Sequence, residues 1–290
     1  MLNNKSKILI PAVAISIFSI ILLFGVRAEP NDVYEGPVRA VIIDQLHDSI
    51  PNEYFQKMAT QYLEAAGYTV DLYTTKDITV DFYKRLPSTG YSFIVIRSHS
   101  VASEQVNSVS IFTGEKYQTD KYIMEQLSGH VLKGSPLVTY EVEAGSKDTW
   151  NRVNNTDAGS YYVIDGALQV SREEPYFLIG SKFVKEMMIG KFPDSIIIIG
   201  GCNSLSNTSL ADALLQRGAD AVIGWDETVS SGHNDAALLS TLRSLMVEKS
   251  SVSDAVQLTM KVYGPDPHYS STLKYFPENA GKISVAVSIE

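Results

Sequence analysis

One cysteine among 290 residues excludes any internal disulfide, so this chain must hold its fold by core packing alone. Its five histidines are scattered without ligand spacing, and no Gly-x-x-x-x-Gly-Lys loop is present, so no metal set and no nucleotide cofactor is indicated. Positive charge is also scarce: 24 Lys and Arg face 33 Asp and Glu, a formal net charge of −9. Lys5, Lys7 and Arg27 are the only charges in the first 28 residues, and setting these three cations aside leaves −12 on the remainder. A body that acidic excludes nucleic acid, and anionic lipid headgroups, as its main partner. There is no internal repeat, and no low-complexity stretch beyond the N-terminus.

Long apolar runs are absent except for one. Residues 8–26 form an uncharged run of 19, just long enough to span a bilayer, with Lys5 and Lys7 before it. The positive-inside rule keeps the N-terminus cytoplasmic and exports the rest of the chain. Residues 1–28 are therefore expected to be a membrane anchor; if Val26-Arg27-Ala28 serves as a cleavage site, they are a removable signal and the protein is secreted. Residues 29–37, with Pro30, Gly36 and Pro37, read as a linker. With 44% hydrophobic residues, 38–290 suit one domain with a sizeable core.

Within that domain the pattern alternates strand and helix. Residues 38–44 (Val-Arg-Ala-Val-Ile-Ile-Asp) read as a strand, and 53–66 as an amphipathic helix with Phe55, Met58, Ala59, Tyr62, Leu63 and Ala66 on one face. Strands at 69–73 and 91–98 come next, separated by a helix capped at Asp77. Ser195-Ile-Ile-Ile-Ile-Gly-Gly-Cys202 reads as a strand buried on both faces, and Asn207 or Thr208 can cap the helix after it. A further strand is expected at 221–225, helices at 232–247 and 253–262, and a terminal edge strand at 282–289. This order predicts an α/β fold of three layers with a mostly parallel central sheet and right-handed crossovers. Residues 101–193 read as a β-rich insertion, with short strands at 109–112, 136–142, 161–164 and 167–170 and helices at 119–127 and 182–188.

Parallel strands end on one rim, which is where open α/β sheets bind ligands. Here that rim gathers Asp44 and His47, then His99, then Cys202, then Asp226, Glu227 and His233. A thiol nucleophile needs a base within reach, most often imidazole, and amide cleavage needs donors for the developing oxyanion. The backbone N–H groups of Ser100, Gly201 and Cys202 are the candidate donors. A helix start near Cys202 would lower its pKa. Taken one at a time, the residues also have plain readings: a lone cysteine is often a small buried hydrophobe, and a strand-end histidine a hydrogen-bonded structural residue.

Phe93-Ile-Val-Ile-Arg-Ser-His99-Ser100, then Ile196-Ile-Ile-Ile-Gly-Gly-Cys202 further along, resembles the caspase-like cysteine peptidases, which include caspases, gingipains, clostripain and the CHAT domains. Cys202-Asn-Ser-Leu and Leu210-Ala-Asp-Ala-Leu-Leu-Gln-Arg-Gly-Ala219-Asp-Ala-Val-Ile-Gly-Trp225-Asp226 are similar to the CHAT pattern of cysteine, helix, Gly-Ala, strand and Trp. The likeness spans roughly residues 38–262. It implies a catalytic dyad, with Cys202 as nucleophile and His99 as general base, in a cysteine endopeptidase acting on protein or peptide substrates without a cofactor. Ser100 stands where the family usually has glycine, and Gly200 where many relatives carry an acid or glutamine. The 103 positions between His99 and Cys202 exceed the caspase spacing, as an insertion would require.

The other rim residues have two readings each. Asp44, Asp226 and Glu227 either line a pocket for Arg or Lys before the cut bond or serve as turn and cap residues; Trp225 floors that pocket or belongs to the core. His233 is the rival base. His130 and His268 read as surface residues. Asn154 and Asn207 sit in glycosylation sequons. Two further functions remain open: a catalytically silent caspase-like domain serving as an exported binding or assembly module, and a thiol hydrolase or transferase acting on something other than peptides.

Overall fold

The computed structural model describes residues 38–103, 108–136, 138–140, 161–164, 167–170 and 174–285. The expected anchor, linker and Asn154 sequon lie outside these. No helix among the described residues is long and apolar enough to cross a membrane.

The strands of the central sheet are β1 (Arg39–Asp44), β2 (Thr69–Thr74), β3 (Tyr91–Arg97), β11 (Ser195–Gly200), β12 (Ala219–Trp225) and β13 (Leu273–Phe276). Between β3 and β11 come β4 (Ser100–Ser103), β5 (Ser108–Lys116), β6 (Val131–Gly134), β7 (Val138–Tyr140), β8 (Tyr161–Ile164), β9 (Ala167–Val170) and β10 (Tyr176–Gly180). The six-stranded sheet runs β13-β12-β11-β3-β1-β2. Every neighbouring pair is parallel except β12 with β13. The α/β class and the mostly parallel sheet are therefore present.

The sheet is buried on both faces because its strands are apolar at both parities. Ile196 and Ile198 face one layer with Ala40, Ile42, Phe93 and Val95; Ile197 and Ile199 face the other with Val41, Ile43, Ile94 and Ile96. Helix α1 (Glu53–Ala65) covers the first face through Phe55, Ala59 and Leu63. Two later helices, Ser231–Met246 and Val252–Tyr263, join it there. The opposite face is covered by α2 (Val80–Arg85), by helices Ser181–Glu186 and Ser209–Gln216, and by Val109, Ile111, Phe177 and Ile179. In chain order with α3 (Ile123–Leu127), these four later helices are α4 (Ser181–Glu186), α5 (Ser209–Gln216), α6 (Ser231–Met246) and α7 (Val252–Tyr263).

Local signals set the helix starts. Asn52 accepts from Phe55 N at 3.0 Å to begin α1, and Thr79, not Asp77, accepts from Phe82 N at 3.0 Å to begin α2. Between β3 and β11 lie two antiparallel sheets, β4-β5-β10-β6 and β7-β9-β8. Strands β8 and β9 fall where the alternation places them, whereas β4, β6 and β10 carry no separate signal. Tyr176–Gly180 runs straight into α4 at Ser181, so no turn residue marks it off as a strand.

The edge strand differs from expectation. The strand beside β12 is β13, antiparallel to it, and the described part of the expected strand at 282–289, residues 282–285, forms no strand of this sheet. Lys282 closes a 3-10 turn (Glu278–Lys282), Ser284 makes an isolated bridge to Ser251, and residues 286–290 are outside the described set. Four residues are too few for a period-two pattern to stand out.

Candidate active site

Strands β3 and β11 are neighbours, with Arg97 opposite Gly200, and Ser98 N donates to Gly200 O at 3.2 Å just past the ladder. Two residues further along each chain stand His99 and Cys202. The two ends are tied together: Ser100 Oγ donates to the carbonyl oxygen of Cys202 at 2.5 Å. Gly201 fits because it has no side chain; a Cβ there would lie 2.5 Å from Ser98 O. The structure thus brings together the two strand ends that carry the candidate dyad.

His99 is half-buried. Its backbone N–H donates to Gln45 Oε1 at 3.1 Å, its carbonyl accepts from Phe112 N at 3.0 Å, and its ring stands edge-on to Phe112 with centroids 5.9 Å apart. Burial, and then the positive charge of Arg97, push its pKa down to about 4. At neutral pH the imidazole is uncharged, which is the form that accepts a proton.

Cys202 packs against the α1/α6 layer, and its thiol donates to the carbonyl oxygen of Val229 at 3.5 Å. Burial pushes the thiol pKa up, with the negative charge of Asp266 adding to the effect. The expected lowering by a nearby helix start is therefore not what the geometry gives. Helix α5 begins only at Ser209, beyond further turns of chain, and burial is the largest influence on the thiol. Among the described residues, no hydrogen bond joins the Cys202 sulfur to an imidazole.

Asp44 is fully buried and pairs with Arg97 Nη1 at 2.8 Å. Trp225 is also fully buried, its indole N–H donating to Asn234 Oδ1 at 2.8 Å. Both lie behind the rim, in the packing. Asp226 pairs with Lys274 Nζ at 2.8 Å and accepts from Thr272 N and Oγ1 at 2.6 Å. Burial raises the Asp226 carboxyl, but Lys274 and the Thr272 donors outweigh it and hold the group below the usual carboxylate range. Glu227 is exposed, and its carbonyl oxygen accepts from Asn203 N at 2.8 Å, so it sits beside the thiol turn.

Of the other histidines, His47 shares Gln56 Nε2 with Asp44. His233 Nε2 donates to Gly264 O at 3.2 Å, with its ring between those of Trp225 and Tyr263. His130 pairs with Glu186, and His268 is exposed. Asn207 Oδ1 accepts from Ser209 N at 3.0 Å at the start of α5. Among the described residues, no group of three His, Cys, Asp or Glu is placed to hold a metal ion.

Several residues of the site carry no motif. Val229 enters through its carbonyl, which any residue would supply. Gln45, 3% exposed, holds the backbone at His99. Asp266, 1% exposed, accepts from Ser230 N at 2.8 Å and Ser230 Oγ at 2.6 Å, fixing the segment that carries Val229. Arg97 did leave a signal: an arginine inside Phe-Ile-Val-Ile-Arg must find a buried counter-charge. No protein-family model matches the chain, and no curated protein matches its sequence.

Proposed function

We propose that this protein is a caspase-like cysteine endopeptidase, held outside a membrane by its N-terminal segment, in which His99 and Cys202 form the dyad. The observation that carries the reading is the pairing of the ends of β3 and β11, tied by Ser98 to Gly200 and by Ser100 to Cys202. Neutral His99 takes the thiol proton as sulfur approaches, and the thiolate attacks the peptide carbonyl carbon. The N–H groups of Ser100, Gly201 and Cys202 receive the developing oxyanion. Protonated His99 then gives its proton to the leaving amine. Water, deprotonated by His99, cleaves the thioester and frees the thiol. Because the thiol is held protonated by burial, it needs that base during attack. Cleavage after Arg or Lys rests on Glu227, an exposed acid whose main-chain carbonyl is bonded to the thiol turn.

One observation favours a second reading, the catalytically silent binding module: the thiol is bonded to Val229 O and its pKa is raised. The two readings separate in one experiment. Full-length protein in detergent is treated with peptidyl acyloxymethyl ketones bearing Arg, Lys, Asp or Leu next to the warhead, and adducts are mapped by mass spectrometry. The peptidase reading expects a Cys202 adduct that His99→Ala suppresses. Equal, slow labelling of the wild type and His99→Ala by every probe supports the silent module.

A further inference from the structure

The chain turns sharply at Cys202, and the turn is held from both sides. Asn203 has φ of 56°, in the left-handed region that a residue with a Cβ occupies at a cost. The peptide joining Cys202 to Asn203 is pinned at both polar atoms. Its oxygen accepts from Ser100 Oγ at 2.5 Å, and its N–H donates to Glu227 O at 2.8 Å. Those anchors belong to opposite neighbours of β11. Ser100 comes after β3, and Glu227 after β12. Ser100 is 8% exposed, and its hydroxyl lies over Gly201, where a Cβ would collide with it.

We infer that Ser100 is a positioning residue for Cys202: its hydroxyl fixes the plane of the Cys202–Asn203 peptide and so sets the direction in which the thiol leaves the turn. The Glu227 anchor is made by main chain and survives substitution. The Ser100 anchor is a single side-chain hydroxyl. Without it, no other hydrogen bond among the described residues holds that peptide from the β3 side, and the left-handed Asn203 is free to relax. The thiol then loses its alignment with whatever base and carbonyl it meets. The hydroxyl is therefore occupied by the nucleophile's own backbone rather than directed at an oxyanion. The backbone N–H of Ser100 is left for that task.

This inference rests on the dyad reading and is tested so that the two can fail separately. The second-order rate of iodoacetamide alkylation at Cys202 is measured from pH 5 to pH 9.5 for the wild type, Ser100→Ala, Ser100→Thr and His99→Ala, with thermal unfolding of each. Peptide turnover is measured alongside. Ser100→Ala is expected to lower kcat by about ten- to a hundredfold with little change in KM, the loss that misplacing a reacting group brings. It should also change the pH profile of alkylation, and Ser100→Thr, which keeps the hydroxyl, should restore both. Coincident profiles and equal turnover for wild type and Ser100→Ala overturn the positioning role. So does a loss in Ser100→Ala that tracks a fall in its unfolding temperature and is not restored by Ser100→Thr. A profile that responds to Ser100 but not to His99 retains the positioning role and removes the dyad.

Discussion

Asp235 on α6 grips Arg97 at the end of β3 with both oxygens, Oδ1 to Nε at 2.7 Å and Oδ2 to Nη2 at 2.9 Å. Asp44 at the end of β1 takes Nη1 at 2.8 Å, and the carbonyl of Ile50 takes Nη2 at 2.8 Å. The guanidinium and the Asp44 carboxylate are fully buried. One cation faces two carboxylates, so the remaining acceptor capacity is filled by amides: Gln56 donates to Asp44 at 2.7 Å and Asn52 to Asp235 at 2.8 Å. This knot joins two strand ends to α6 directly behind His99. It is also the source of the charge that, after burial, keeps the imidazole neutral.

Removing the cation strands two buried carboxylates. Arg97→Met is expected to cost roughly 3–5 kcal/mol of stability, read from urea unfolding. Adding Asp44→Asn and Asp235→Asn should recover part of the loss, because an uncharged knot needs no counter-ion. A cost below about 1 kcal/mol for Arg97→Met would show that the site hydrates easily.

The depressed pKa of His99 gives a stability term with a definite sign. Above pH 6.5 both folded and unfolded chains carry it neutral, and it contributes no pH dependence. Below that the unfolded chain takes a proton that the folded chain refuses until about pH 4, so stability falls with pH across this window. At pH 4.5 the loss is about 2–3 kcal/mol relative to pH 7. His99→Gln should remove that share of the acid destabilisation, measured as the difference between urea midpoints at the two pH values. An unchanged difference contradicts it.

The same shift sets the acid limit of catalysis. The base form of His99 persists to about pH 4, so kcat/KM should hold its plateau well below pH 6 and fall only as the solution approaches pH 4. A limb near pH 6.5 would mean an imidazole in water-like surroundings.

Much of the scaffold is legible in the chain, because Ile196 to Ile199 and Phe93 to Ile96 are short, rich in β-branched residues and apolar at both parities, as a parallel strand covered on two faces requires. That His99 and Cys202 each stand just past the end of such a strand is legible for the same reason, and the structure makes the two strands neighbours. The sequence hides contacts made by main chain or by distant loops. The Val229 carbonyl leaves no signature, and Asp266 is 64 positions from Cys202. Asp44 reads as a rim acid until its partner is known, although Arg97 within an apolar strand announces that some acid must meet it. Ser100 reads as an added side chain among oxyanion donors; only the structure turns its hydroxyl towards Cys202.

Gly201 offers a local test of how tightly the two ends fit. A methyl there would lie 2.5 Å from the main-chain oxygen of Ser98, which cannot move without shifting β3. Gly201→Ala should cost about 1–3 kcal/mol and reduce turnover more than tenfold. Gly200→Ala meets the flexible end of Leu238 at 2.5 Å and the Asn234 amide, and should be milder in turnover. Unfolding curves and initial rates for the two variants decide the order, and equal effects would contradict it.

Cleavage itself is the most direct test of the dyad. The full-length protein in detergent, as wild type, Cys202→Ala and His99→Ala, is incubated with a mixed peptide library, and the cut sites are read by mass spectrometry. Cuts made by the wild type alone, enriched in Arg or Lys before the broken bond, are the predicted result. No cut by the wild type across pH 4.5 to 9, or the same cuts by His99→Ala, would contradict the account.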